Sequence, residues 1–235
     1  MAKERLDKLI ASTGRWSRRE VKTLVREGRV LVDGRIAGSA EEKYDAESCR
    51  IAVNGEELLL RRHTYVMLHK PAGVLSATED GRGRTVLDLL TPELRKIGVF
   101  PVGRLDKDTE GLLLLTDDGE LAHALLSPKK HVDKVYYARV SGRLTPEDCA
   151  AFEAGMTLGD GLECLPAGLE ILAAGETSEC LVTLREGKFH QVKRMLAARG
   201  KPVTYLKRLS MGSLRLDDTL APGEFRLLTA AEEAQ

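Results

Sequence analysis

Strand-like segments recur through the second half of the sequence, and few of them are joined by regular helices. Apolar or alternating runs lie at residues 112–116, 135–141, 165–172, 180–185 and 203–216. Parallel neighbours in a sheet need long crossover connections, usually helices, so this order favours antiparallel pairing. The sequence therefore predicts an α+β fold built on a mixed, mainly antiparallel sheet rather than a doubly wound parallel one.

Short helical segments accompany these strands. One helical pattern runs from Thr85 to Leu90 and another from Asp118 to Leu126. Thr145-Pro146 marks a third helix, since threonine at the N-cap followed by proline in the first turn is a common helix start. We expect these helices to flank the sheet.

The length and composition fit a soluble protein of two domains. A chain of 235 residues with 43% hydrophobic content can bury a substantial core. The N-terminus is charged and lacks the apolar stretch of a signal peptide, and the run Leu112–Leu115 is far too short to cross a bilayer. The four cysteines are far apart and include no Cys-x-x-Cys pair. We expect a cytoplasmic protein with reduced thiols, no membrane association and no metal.

Basic side chains are concentrated in two regions, although the formal net charge of the chain is zero. Residues 1–40 contain ten lysines and arginines against five acidic residues, and residues 185–208 oppose eight basic residues with Glu186 alone. Affinity for phosphate depends on where charges lie rather than on their sum. Counter-charges folded against these cations would also fit the pattern, so charge alone leaves nucleic-acid binding and a solvated surface as equal alternatives.

Residues 1–60 predict a small domain of two helices and a small sheet. The apolar spacing after Arg5 is typical of a short helix, and Ser17-Arg18-Arg19-Glu20 has the form of a capping box at the start of a second. Asp33-Gly34 is a hairpin signal between two short strands, and Ile51–Val53 predicts another strand.

This order of segments, with R-L-D-K-L, S-R-R-E-V and G-R-V-L-V-D-G, resembles the S4 RNA-binding domain. In that family the capped second helix and its basic neighbours lie on RNA. The resemblance implies an S4-like RNA-binding domain at 1–60, followed by a larger domain at 61–235. The side chains expected to bind RNA are Arg5, Lys8, Arg18, Arg19, Lys22 and Arg26. An ordinary solvated helix surface is the alternative.

The segment G-R-L-D-K-D-T-E-G-L-L-L-L-T-D-D-G, at 103–119, admits three interpretations. Its acidic residues fall at the positions of a calcium-binding loop that begins at Asp106 and ends at Asp117. Such a loop, however, needs a bidentate glutamate at its end and helices on both sides. The second interpretation is a polar turn before a buried strand, in which aspartate and threonine bond the backbone. Taken alone, the segment favours the turn.

The third interpretation is catalytic, because G-R-L-D-x-x-T-x-G-L-L-L-L-T-x-D-G is very similar to the catalytic motif of pseudouridine synthases that modify ribosomal RNA. Other landmarks of that family follow in order: K-P-A-G at 70–73, S-P at 127–128, K-V-Y at 134–136 and E-G-K-F-H-Q-V-K-R-M at 186–195. The last of these, with L-A-P-G-E-F-R at 220–226, resembles the RsuA branch, whose substrate is small-subunit (16S) ribosomal RNA. The resemblance covers essentially the whole chain.

The resemblance also implies roles for individual residues. Asp106 is the expected nucleophile, Tyr136 stacks against the target base, and Lys193 is the basic partner of the aspartate. Arg104 is expected to help hold the nucleotide out of its helix. A carboxylate can attack either ribose C1′ or uracil C6, and the sequence does not decide which. No cofactor is expected, because the isomerisation involves no net redox change.

The surroundings of the aspartate follow from its chemistry. A nearby cation would keep Asp106 ionised against desolvation, so we expect an ion pair with Lys193 in a deep, mainly apolar cleft. His190 and Arg194 share one face of a predicted helix with Lys193, and we expect both to contact RNA.

The predicted function is isomerisation of a specific uridine to pseudouridine in ribosomal RNA, by base flipping and covalent attack by Asp106. A monomer acting on RNA within a ribosomal subunit or an assembly intermediate is expected. Three alternatives stay open: a non-catalytic RNA-binding assembly factor, a hydrolase that releases free uracil, and a synthase that acts on large-subunit RNA.

Overall fold

The computed structural model describes residues 3–46, 48–127 and 130–234. These residues form two compact units, one containing residues up to Thr64 together with Leu90–Val99, the other containing Tyr65–Leu89 and the chain from Phe100 onward. The sequence prediction places 90–99 in the second domain, whereas its contacts group it with the first unit. Pro128 of the predicted Ser-Pro landmark lies outside the described residues. No helix within the described ranges has the length and apolar character needed to cross a membrane.

The first unit contains the two predicted helices and the predicted small sheet. Its elements are β1 (Glu4–Arg5), α1 (Leu6–Ala11), α2 (Arg18–Arg26), β2 (Val30–Val32), β3 (Arg35–Ile36), β4 (Lys43–Tyr44), β5 (Ile51–Val53), β6 (Glu56–Glu57) and α3 (Pro92–Ile97). Strands pair in the order β3-β2-β5-β6, and β1 pairs with β4. The capping box is present, since the Glu20 amide donates to Ser17 Oγ and the Ser17 amide donates to the Glu20 carboxylate. It fixes the start of α2, which carries most of the predicted RNA-binding cations.

Helix α3 is absent from the sequence prediction, although its ends carry ordinary signals. Thr91 accepts a hydrogen bond from the Leu94 amide at the N-cap, and Gly98 ends the helix in the left-handed conformation. A Cβ atom on Gly14 would lie 2.2 Å from the Glu93 carbonyl oxygen. The helix therefore packs so closely on the turn after α1 that only glycine fits there.

The second unit is built on a nine-stranded sheet. Its elements are β7 (Tyr65–Lys70), a 3₁₀ turn (Val86–Leu89), β8 (Phe100–Pro101), β9 (Glu110–Thr116), α4 (Gly119–Leu126), β10 (Lys134–Ser141), α5 (Pro146–Ala154), β11 (Met156–Thr157), β12 (Glu163–Cys164), β13 (Gly168–Ala173), β14 (Thr177–Leu184), α6 (Gln191–Ala198), β15 (Val203–Met211), β16 (Leu214–Arg215), β17 (Phe225–Leu227) and α7 (Ala230–Glu233).

The strand order is β13-β14-β10-β15-β9-β7-β17, with β16 on β15 and β8 on β9. Only the pair β15–β9 is parallel within the described sheet. The predicted α+β fold with a mixed, mainly antiparallel sheet is therefore confirmed. Two predicted elements are shorter than expected. The run 203–216 divides into β15 and β16 around a turn at Gly212, and the helical pattern at 85–90 is a single 3₁₀ turn.

Strand β9 lies inside the sheet and fixes where the polar turn before it emerges. Leu112–Leu115 are buried, as a strand covered on both faces requires. A Cβ atom on Gly111 would lie 2.2 Å from the Arg208 carbonyl oxygen of β15, so only glycine allows the two backbones to approach. The contact between Gly111 and Arg208 holds the turn 103–109 beside β15, which pairs with β10.

Candidate active site

Asp106 lies in the tight turn between β8 and β9. The Thr109 amide donates to the Asp106 carbonyl oxygen at 3.1 Å, which closes the turn. On the preceding side, Ser76 Oγ donates to the Leu105 carbonyl at 3.0 Å and accepts from the Leu105 amide at 3.1 Å. The backbone that carries Asp106 is therefore held from both sides.

Lys70, at the end of β7, is one of the largest fully buried side chains of the described residues. Its ammonium donates to the carbonyls of Pro71 at 3.0 Å, Lys107 at 3.2 Å and Thr109 at 2.9 Å. Burial lowers the pKa of Lys70 to about 8, against the opposing attraction of Asp108 and Asp106. Lys70 thus holds the backbone just after Asp106 in place through its hydrogen bonds to Lys107 and Thr109.

The sequence interpretation uses Lys70 only as a family landmark and misses this role. A signal was present, because the apolar run Tyr65–Leu68 continues through His69 to Lys70 before the turn at Pro71. A charged residue at the buried end of such a strand needs partners, and here they are main-chain carbonyls.

Lys193, on α6, reaches Asp106 from across the unit. Its Nζ lies 3.0 Å from Asp106 Oδ2, so the predicted ion pair is confirmed. The cleft is shallower than expected, because the side chains of Asp106 and Lys193 are 25% and 22% exposed. Its lining combines the buried apolar side chains of Leu184, Val192 and Leu206 with polar and charged residues.

Asp108 shares this cation, which the sequence interpretation does not foresee. Lys193 Nζ donates to Asp108 Oδ1 at 2.6 Å. Burial alone would lower the pKa of Lys193, but its hydrogen bonds to Asp108 and Asp106 outweigh burial and raise it. The hydrogen bond from Lys193 also lowers the pKa of Asp108.

His190 lies on the other side of the aspartate, with Nε2 3.4 Å from Asp106 Oδ1. The predicted helical face is wrong for His190, because α6 begins at Gln191 and His190 adopts a left-handed backbone conformation with φ of 51°. The helical part of the prediction is confirmed: Val192, Met195 and Leu196 are buried while Lys193 is not.

Tyr136, on β10, completes the pocket. Its side chain is buried, and it lines the same cavity as Asp106, Lys193, His190 and Arg104. Thr109 also lines this cavity, and its Oγ1 is buried without a hydrogen-bond partner among the described residues. An unpaired buried hydroxyl costs free energy, so a ligand that bonds it would be favoured.

Arg194 lies apart from this group. It forms an ion pair with Asp160 and does not contribute to the described lining of the cavity. Of the second-domain residues predicted from the sequence, five therefore meet at one pocket and Arg194 does not.

Family models match both parts of the chain. The model described as RNA pseudouridylate synthase matches residues 64–198, more than half of the sequence, and the S4 domain model matches residues 4–48. This chain belongs to the RNA pseudouridylate synthase family.

Relatives match over almost the full length. The chain is 50% identical to the uncharacterized RNA pseudouridine synthase YtzG of Bacillus subtilis, covering 97% of this chain and 96% of the relative. It is 40% identical to ribosomal small subunit pseudouridine synthase A of Vibrio cholerae, covering 98% of each, and 39% identical to ribosomal large subunit pseudouridine synthase B of Bacillus subtilis, covering 97% and 93%. A crystal structure of a pseudouridylate synthase, 35% identical, aligns over 97% of both chains with a TM-score of 0.68. The predicted enzyme class, an RNA pseudouridine synthase, is confirmed.

In this pseudouridine synthase the calcium-loop alternative does not fit the motif. Strand β9 occupies Glu110–Thr116 inside the proposed loop, and β8 rather than a helix precedes it, so the segment is not a loop between two helices. Asp106 and Asp108 instead share the Lys193 ammonium. No cluster that could hold a metal ion is found among the described histidine, cysteine and acidic side chains.

In the S4 domain, acidic side chains bind several of the predicted RNA-binding cations. Asp7 is fully buried, and its carboxylate accepts from Arg5 at 2.9 and 3.1 Å and from Arg18 at 3.0 and 3.2 Å. Glu41 accepts from Arg5 at 3.0 Å and from Lys22 at 3.2 Å. These arginines and this lysine are held in place by carboxylates of their own domain.

The remaining three cations differ from one another. Lys8 pairs with Glu4 one helical turn away. Arg26 donates to Thr23 Oγ1 at 3.2 Å, and Arg19 is exposed. Within the ranges that the structure describes, neither Arg19 nor Arg26 forms an ion pair. These two arginines are the cations of α2 with no carboxylate to displace before phosphate can bind.

Proposed function

We propose that this enzyme converts a specific uridine of small-subunit ribosomal RNA to pseudouridine, as a cytoplasmic monomer. The observation that carries the proposal is the Asp106 carboxylate 3.0 Å from the Lys193 ammonium, in the pocket that Tyr136 lines. The small-subunit and large-subunit relatives are almost equally identical, so identity does not discriminate between them. The E-G-K-F-H-Q-V-K-R-M motif favours the small subunit, because it resembles the RsuA branch.

The proposed reaction uses Asp106 as a covalent nucleophile at ribose C1′ or at uracil C6. The N1–C1′ bond breaks, the uracil turns, and a C5–C1′ bond forms; C5 loses its proton and N1 gains one. Lys193 orients the carboxylate before attack through the ion pair at 3.0 Å. Tyr136 stacks on the target base and keeps the detached uracil within reach of C1′.

The target base must leave its stack to reach Asp106. Flipping costs a few kcal/mol, which contacts to the flipped base and its backbone must offset. Arg104 lines the cavity and is exposed, so it can bind the phosphate or the gap beside the flipped nucleotide. Thr109 Oγ1 offers a hydrogen bond inside the cavity. His190 adds a polar contact to RNA in the pocket, and Arg194 contacts RNA outside it.

The S4 domain supplies affinity in this proposal. Arg19 and Arg26 contact phosphates first, and Arg5, Lys8, Arg18 and Lys22 complete the basic surface. A single-stranded uridine offers little shape to recognise, so the substrate is ribosomal RNA folded within a subunit or an assembly intermediate.

Tritium release from RNA labelled at uridine C5 tests the proposal, because C5 loses its hydrogen only if the new C–C bond forms. RNA and subunits from a strain that lacks the gene serve as substrates, and chemical probing maps the modified nucleotide. Modification confined to small-subunit RNA is the expected result. Modification of large-subunit or transfer RNA alone would overturn the substrate, and release of free uracil would indicate a hydrolase.

A further inference from the structure

Phe189 is a large aromatic side chain that the reaction described above leaves without a role. It belongs to the same motif as His190 and Lys193, yet its side chain is 74% exposed. Single exposed aromatic side chains are common on protein surfaces, but Phe189 stacks on His190, which lines the active-site pocket, so its ring is placed to meet the substrate.

The ring of Phe189 stacks on the imidazole of His190. Their centroids are 3.8 Å apart and the planes differ by 18°. Because His190 covers one face of Phe189, the exposure of the ring falls on its opposite face. His190 in turn lies 3.4 Å from Asp106, so the two rings form a short stack that begins at the nucleophile and ends in solvent.

The loop that carries this stack is held by buried groups. Gln191 is buried, and its Nε2 donates to Glu186 Oε1 at 2.6 Å while its Oε1 accepts from the Lys188 amide at 3.1 Å. The His190 carbonyl accepts from the Arg194 amide at 2.9 Å, inside the first turn of α6. Phe189 is therefore presented on a fixed support, which lowers the entropic cost of binding another ring.

We propose that Phe189 is the stacking platform for a base adjacent to the flipped uridine. When the target base enters the pocket, its neighbour loses a stacking partner, and the free face of Phe189 replaces it. Such stacking is worth about 1–3 kcal/mol per base and tolerates any base. Phe189 is thus a substrate-binding residue for flipped RNA. The inference rests on the enzyme acting on flipped RNA, and it does not depend on which ribosomal RNA is the substrate.

Substitution of Phe189 tests this role with the full-length enzyme on whichever RNA the wild type modifies. Phe189→Leu keeps an apolar side chain but removes the ring, and it should raise KM for RNA by between about 5-fold and 150-fold. The value of kcat at saturating RNA should change by less than about 3-fold. Phe189→Trp should restore KM. Leu172, 49% exposed on β13, provides the matched control, and Leu172→Ala should leave both constants unchanged.

An abasic nucleotide on either side of the target uridine identifies the stacked base. At one of these two positions, removal of the base should weaken binding by the wild type as much as Phe189→Leu weakens binding to intact RNA. Removal of the same base should not weaken binding by Phe189→Leu any further. The proposal is overturned if Phe189→Leu matches the wild type, or if its defect is the same on every abasic substrate. It is also overturned if the defect appears with ribonucleoprotein but not with naked RNA, since the ring would then bind protein. Wild-type activity on a different RNA would overturn the proposed substrate while leaving this test intact.

Discussion

Lys193 donates to Asp108 at 2.6 Å, a shorter contact than the 3.0 Å that separates it from Asp106. One ammonium therefore serves two carboxylates. The hydrogen bond lowers the pKa of Asp108, so this interaction stabilises the fold above the ordinary aspartate pKa and is lost as pH falls through the folded value. The pKa of Lys193 is raised, so its stabilisation is lost only as pH rises through that raised value. The charged cluster stays intact through the neutral range.

Substitutions of Asp106 and Asp108 distinguish the role of the proposed nucleophile from that of its charged neighbour. Asp106→Asn is nearly isosteric, so it should abolish pseudouridine formation while leaving RNA affinity within about 2-fold and folding unchanged. Asp108→Asn removes a carboxylate two residues away and should retain turnover within about 10-fold. Tritium release and equilibrium binding measure both properties. An Asp106→Asn enzyme that still forms pseudouridine would contradict the assignment.

Replacing Lys193 should change the pH dependence of the reaction. In Lys193→Met, Asp106 and Asp108 lose their shared cation and repel each other, which raises the pKa of a carboxylate in the pair. Turnover should fall at neutral pH and recover in part as pH rises, when Asp106 ionises. The measurement is kcat between pH 5 and pH 9.

A second variant isolates the repulsion. Adding Asp108→Asn to Lys193→Met removes the second negative charge, so the recovery should move to lower pH. A pH profile identical to that of Lys193→Met alone would show that Asp108 does not influence the nucleophile.

The sequence predicted the residues that line the pocket better than it predicted the residues that hold them in place. Asp106, Tyr136 and Lys193 lie in motifs of fixed form, so resemblance to the family was sufficient to select them. The contacts of Lys70 with Lys107 and Thr109 connect segments almost forty residues apart, and no local pattern reports such pairing. Asp108 occupies a variable position of the catalytic motif as quoted and belonged only to the calcium-loop interpretation, so nothing marked it as a partner of Lys193.

The charge pattern of the S4 domain was ambiguous for a related reason. Asp7 and Glu41 become counter-ions only when the chain folds. Composition counts such acids but cannot pair them. The counter-charge alternative is therefore confirmed for four of the six predicted cations, whereas Arg19 and Arg26 have no carboxylate partner in the described structure. RNA binding by this surface stays a prediction.

Neutralising Arg19 and Arg26 should weaken RNA binding without affecting folding. Each phosphate contact releases counterions and contributes about 0.7 to the slope of log affinity against log salt for single-stranded RNA. The double variant Arg19→Gln/Arg26→Gln should therefore lower affinity and reduce that slope by about one to two. Lys22→Gln is the control, since Lys22 is already paired with Glu41, and its effect should be smaller. An unchanged slope in the double variant would place the phosphate contacts elsewhere.

We expect Lys70 to couple pH to the position of Asp106, the proposed nucleophile. Burial lowers its pKa to about 8, from 10.5 for an exposed lysine. The ammonium donates to three carbonyls, whereas a neutral amine has only two hydrogens to donate. Deprotonation should therefore release one carbonyl and loosen the turn of Asp106. Stability changes in the opposite direction. Between pH 8 and 10.5 the unfolded chain binds the proton more strongly than the folded chain, so the contribution of Lys70 to the free energy of unfolding rises with pH.

Activity and stability should consequently diverge above pH 8. In the wild type, kcat should decline with an apparent pKa of about 8. Lys70→Met cannot titrate there, so its kcat should be lower at neutral pH but flat across this range. Chemical denaturation should show the wild type gaining stability relative to Lys70→Met as pH rises, by up to roughly 3 kcal/mol. The tyrosines titrate in both proteins, so their contribution cancels when one free energy of unfolding is subtracted from the other. If Lys70→Met kept the same alkaline decline in kcat, or if the stability difference moved the other way, Lys70 would not be the group that titrates.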